Sequence, residues 1–120
     1  MKKLTELNYK ITDGSSFSGF YLKTKLNRLL EILGQPSFVG SGDNKVQLEW
    51  VFYEVIRENF KGVGHKVFTI YDYKDDAPIH AITHWHIGSK GLKKEELHVI
   101  LIELGFDPAE EIIDAYQDRE

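Results

Sequence analysis

Cysteine is absent from the chain, methionine occurs once and proline three times in 120 residues. Without cysteine there is no disulfide framework, no thiolate metal site and no cysteine nucleophile. Any chemistry must come from His, Asp, Glu, Lys, Tyr or Ser. Long apolar runs are missing too, and Met1-Lys2-Lys3-Leu4-Thr5-Glu6 meets charge before any apolar stretch forms. Neither a signal peptide nor a membrane span is expected, and a cytoplasmic setting is the natural reading. Also absent are a phosphate-loop glycine pattern, a dinucleotide fingerprint and a nucleophile elbow around serine.

What is present fits an ordinary folding unit. With 42% hydrophobic and 28% charged residues the chain lies far from the composition of disorder, and 120 residues suit one domain spanning 1–120. The net charge of -4 is unevenly spread: residues 1–74 carry eleven Lys/Arg against eight Asp/Glu, residues 75–120 four against eleven. An acidic C-terminal third is a poor match for duplex DNA and a better one for a protein with a basic surface.

Periodicity orders the elements. Residues 7–12 alternate apolar and polar before the turn formers Asp13-Gly14-Ser15-Ser16, which predicts a short first strand. Leu26, Leu29, Leu30 and Leu33 share one helical face, and Gly34 with Pro36 ends that run. Val46, Leu48, Trp50 and Phe52 alternate as a strand, Lys66–Lys74 reads as its antiparallel partner across a loop around Lys61 to His65, and Ile79–Ile87 as a further strand closed by Gly88-Ser89. Leu92, Leu97, Ile100, Leu101 and Leu104 mark a helix stopping at Gly105. Asp107-Pro108-Ala109-Glu110 then supplies the capping signals of a last helix with Ile112, Ile113 and Tyr116. The expected fold is α+β: an antiparallel sheet of three to five strands, one early helix and a C-terminal helical pair.

Four groups of residues are candidates for function. Tyr71, Asp72 and Tyr73 put two rings on one strand face with a carboxylate beside them, a pattern that suits protein interfaces and base stacking alike, although tyrosine also simply favours strands. Glu95, Glu96, Glu103, Glu110 and Glu111 form an acidic stripe on the C-terminal helices, which is either a solvated face or a surface for a basic partner. Arg28 or Arg57 with Tyr71 and Tyr73 would make a nucleotide site. His80, His84 and His86, if extended, share a face and offer neutral nitrogens to a metal, yet no metalloenzyme spacing accompanies them. No metal or other cofactor is therefore expected. Glu49 and Glu54 differ in strand parity and face opposite sides, so they make a poor acid/base pair.

Leu33-Gly34-Gln35-Pro36, Lys45-Val46-Gln47-Leu48-Glu49-Trp50, Thr69-Ile70-Tyr71-Asp72-Tyr73-Lys74 and Trp85-His86-Ile87-Gly88 follow one another over roughly residues 19–88. In this ordered set the chain resembles small uncharacterised proteins of bacteriophages and other mobile elements. The resemblance brings no catalytic residues. It implies a non-enzymatic accessory protein that binds and inhibits a host macromolecule, most directly a defence protein, or as an alternative one that traps a signalling nucleotide; a His-ligated metal enzyme is the second alternative. A homo-oligomer is compatible with all three.

Overall fold

The computed structural model describes residues 2–3, 15–40, 47–58, 62–73 and 77–115, with the backbone alone for 2–3, 55–58 and 62–65. Among the described residues seven strands make one sheet: β1 (Lys2–Lys3), β2 (Ser16–Lys23), β3 (Phe38–Val39), β4 (Leu48–Glu58), β5 (Gly62–Tyr71), β6 (His84–Lys90) and β7 (Ile112–Asp114). Every pairing is antiparallel, in the order β1-β4-β5-β6-β2-β7, with β3 also on β4. Helices α1 (Leu26–Leu33) and α2 (Lys94–Leu104) complete the fold, with a 3-10 turn at Ile79–Ala81. Among the described residues no helix is long and apolar enough to cross a membrane.

Alternation along the strands sorts the side chains into two faces. On one, Phe20, Leu22, Trp50, Phe52, Phe68, Ile70, Trp85 and Ile87 pack under Leu29 and Leu33 of α1 and Leu97 and Leu101 of α2. Each such burial contributes about 1.5–3 kcal/mol. The two indoles meet edge to face, 5.6 Å apart. Their N–H groups hold the two ends of α1: Trp85 Nε1 donates to Thr24 O at 3.0 Å and Trp50 Nε1 to Gly34 O at 2.9 Å. Gly34 (φ 78) and Gly105 (φ 117) end the two helices in backbone conformations that other residues adopt at a cost. Phe38, Val51 and Val67, with Tyr53, form a smaller cluster on the opposite face, which neither helix covers.

Strands and helices are segregated as in an α+β fold, but the expected three to five strands and C-terminal helical pair are both corrected. Ser16, read with the turn formers, begins the eight-residue strand β2. Its register shifts between Phe17 and Phe20, where Gly19 takes φ 93 and Ser18 Oγ donates to Ile87 O at 2.6 Å. The bulge sets three steps of β2 against one of β6 and so keeps the strand's parity: Phe17 and Tyr21 fall on one face and Phe20 and Leu22 on the other, and with rings on both faces no polar–apolar alternation is visible.

The last helix does not form. Asp107 Oδ1 accepts from Ala109 N and Asp107 O from Glu111 N, both at 2.8 Å, making one turn that stops. The chain then extends as β7, pairing Leu22 with Ile112 and Phe20 with Asp114. β-Branched Ile112 and Ile113 satisfy the open edge of β2, and that long-range pairing outweighs the local capping signal.

Two smaller corrections concern the middle strands. Residues 79–81 coil into the 3-10 turn behind Pro78, and β6 begins only at His84 but runs on through Gly88 and Ser89. The β4–β5 pair stands as expected, and its ladder extends to Glu58 opposite Gly62, through the segment read as a loop. The first strand expected at 7–12 lies outside the described residues.

Candidate functional site

Direct partners in an antiparallel ladder share a face, so the register itself assembles a site. Phe38 lies opposite Glu49, Glu49 opposite Tyr71, Tyr71 opposite His86, His86 opposite Tyr21 and Tyr21 opposite Ile113. One residue from each of six strands thus enters a single row across the face without helices. The next row is Val51, Thr69, Gly88 and Phe17.

His86 is the centre of this surface. Tyr71 stacks on its imidazole at 5.6 Å and 20°, while Tyr21 at 4.9 Å, Tyr73 at 5.7 Å and Phe17 at 5.8 Å meet it edgewise. Gly88 makes room for the Tyr71 ring: a Cβ there would stand 3.5 Å from Tyr71 Cε1 and 3.0 Å from Thr69 Oγ1. Aromatic pairs of this kind add about 0.5–1.5 kcal/mol each beyond their buried area.

Three ionisable groups sit among the rings. Burial pushes Glu49 up to about 6; a hydrogen bond from Thr69 works against that rise and the charge of Asp72 adds to it. Burial likewise lowers His86 below its ordinary value, against the opposing pull of Asp72, so its imidazole is neutral at neutral pH. Tyr71 is raised, by burial first and then by Glu49, Tyr73 and Tyr21. Asp72 is 1% exposed, and its Oδ1 accepts from Gln47 N and Leu48 N, each at 2.9 Å, closing the open end of the β4–β5 ladder. Glu49, a carboxylate made harder to ionise by burial beside a cluster of rings, is a mark of a functional surface.

Of the candidates read from sequence, Tyr71, Asp72 and Tyr73 are brought together, the two rings 6.4 Å apart and both against His86. The three histidines separate. His80 is exposed in the 3-10 turn, His84 is exposed with Nδ1 3.0 Å from Thr83 Oγ1, and only His86 enters the ring cluster. Strand alternation puts His84 and His86 opposite Trp85 and Ile87, as expected. Among the described residues no three His, Asp or Glu side chains gather as metal ligands.

Arg28 is not beside the tyrosines. Its Nε and Nη2 donate to Glu111 Oε2 and Oε1 at 3.3 and 3.1 Å, and Nη2 also to Gly105 O, on the helical side of the sheet. The Arg57 side chain lies outside those described. The acidic stripe is divided: Glu95, Glu96 and Glu103 belong to α2, but Glu110 and Glu111 stand in the turn before β7. Glu96 is engaged by Lys66 Nζ at 3.2 Å and by the Lys93 amide, and Glu111 by Arg28; Glu95, Glu103 and Glu110 are exposed.

Phe17, Tyr21, Glu49 and Gly88 escaped sequence reasoning as a site. Apolar side chains on both faces of β2 left the first two without a polar–apolar alternation, and Glu49 joins the rings only through cross-strand register. Elsewhere, a cleft of about 740 Å³ between α2 and the turn before β7 contains the Lys94–Asp114 ion pair over Phe20. Its walls mix Lys23 and Lys94 with Glu95, Glu110 and Asp114, so it selects no charge, and the ring face is the stronger candidate. In comparisons with known proteins, no family model, no curated protein and no solved structure matches the chain.

Proposed function

We propose that this chain is a small accessory protein of the host cytosol that acts by docking a partner protein onto the ring-covered sheet face. The carrying observation is the grouping of Phe17, Tyr21, Tyr71 and Tyr73 around His86 on the face that neither helix covers. Tyrosine-rich patches are favoured at protein interfaces, where a ring buries large apolar area at low entropic cost and its hydroxyl finds a partner. Glu49 and Asp72 favour a basic partner surface by charge complementarity. An inhibitory role against a host defence protein rests on the four phage-like motifs alone and completes the proposal.

The nucleotide reading is weaker because Arg28, one of the two arginines offered as its phosphate ligand, is held by Glu111, and the side chain of the other, Arg57, lies outside those described. Affinity capture from a bacterial lysate tests the proposal when parent, Tyr73→Ala and Glu103→Lys baits are compared. One dominant partner should be retained by the parent and the Glu103 variant and lost from the Tyr73 variant. Retention by the Tyr73 variant, or loss only from the Glu103 variant, would move the working surface to α2 and sink the proposal.

A further inference from the structure

Two buried polar atoms at the ring cluster have no hydrogen-bond partner among the described residues: the carboxylate oxygen Asp72 Oδ2 and the ring nitrogen His86 Nδ1. They belong to one neighbourhood, since Asp72 stands in the chain between Tyr71 and Tyr73, whose rings both lie against His86. In a neutral imidazole carrying its hydrogen on Nε2, Nδ1 can only accept. A buried acceptor left alone is costly, and a lone carboxylate oxygen more so. The occupant that suits both atoms therefore donates and does not accept, is cationic, and is flat enough to lie against tyrosine rings.

A guanidinium meets these conditions with five N–H donors, no acceptor and a planar face that stacks on aromatic rings; a lysine ammonium has donors and charge but no plane. Resting on the reading of this face as a docking surface, we infer that it receives an arginine side chain of the partner protein, with the guanidinium donating to Asp72 Oδ2 and His86 Nδ1. Neither atom is open to water, so the arginine enters as the Tyr73 ring swings off His86. Tyr73 adjoins Asp72 in the chain and is 42% exposed, the most open ring of the cluster. Glu49 adds a second negative charge to the mouth of the site.

Ring and histidine NMR spectra of the intact chain, titrated with blocked Gly-Arg-Gly, its citrulline analogue and blocked Gly-Trp-Gly, test this. The arginine peptide should shift His86 and Tyr73 and saturate, with the uncharged citrulline peptide at least about tenfold weaker. Asp72→Asn, which keeps an oxygen for the Gln47 and Leu48 amides, and Glu49→Gln should each weaken the arginine peptide several-fold while the Trp50 and Trp85 fluorescence stays native. Equal binding of the arginine and citrulline peptides, or ring shifts with the tryptophan peptide alone, overturns the arginine inference and leaves the docking surface standing. Rings silent to all three peptides overturn both.

Discussion

The ring of Tyr71 lies over Gly88, with Tyr71 Cε1 only 3.5 Å from where a side chain at 88 would begin. That contact couples a core-like constraint to the surface, because the same space is bounded by Thr69 Oγ1 at 3.0 Å and Ser16 O at 3.4 Å. A methyl group there cannot move the backbone carbonyl, and turning Thr69 away removes its hydrogen bond to Glu49.

Gly88→Ala is accordingly expected to destabilise the fold by about 1–3 kcal/mol, the usual cost of overpacking. The gain from replacing a strand glycine, about 0.5–1 kcal/mol, does not offset it. Urea unfolding measures the difference, and the His86 ring resonances should shift with it. A variant as stable as the parent with unshifted rings would show that the notch is not needed.

Glu49 gives a pH dependence with a definite sign. Its folded value of about 6 lies above its ordinary 4.5, so between these the folded state holds the proton more tightly and stability falls as pH rises through that window. The full cost above the window is about 2 kcal/mol. Glu49→Gln should therefore be more stable than the parent by about 1–2 kcal/mol near neutral pH and equal to it below pH 4.5, read from urea midpoints at the two pH values. A gap that persists unchanged in acid would assign the effect to packing instead of charge. Gain of stability with loss of arginine-peptide binding is the trade expected of a residue kept for function.

Arg28 of α1 and Glu111 tie the turn before β7 to the first helix. Partial burial pushes Glu111 up, but the hydrogen bonds from Arg28 and the Asp107 amide prevail and leave it below its ordinary value. The stability it contributes is present above the ordinary 4.5 and is lost as pH falls through the lower folded value. Glu111→Gln should loosen β7 locally: the Ala115 amide, bonded to Gly19 O, and the Lys23 amide, bonded to Glu111 O, should exchange roughly tenfold faster, while Ile70 in the sheet centre is unchanged. Uniform acceleration would make the pair a global support, and no acceleration would remove it as the tether.

Spacing along the chain alone determined α1, α2 and the β4–β5 pair, because leucines at helical intervals ending at Gly34 and Gly105, and Leu48, Trp50 and Phe52 at alternate positions, are patterns that one element satisfies by itself. Alternation also set His84 and His86 against Trp85 and Ile87, and placed Tyr71 and Tyr73 together. Only the tertiary structure decided β2, where rings on both faces erase the polar–apolar alternation, and β7, where the edge of β2 overrode the capping signal at Asp107. The same holds for the site. Tyr21, Glu49, Tyr71 and His86 become neighbours through strand register, which is set by how distant strands bury their apolar faces against α1 and α2, and no interval counted within one segment contains that information.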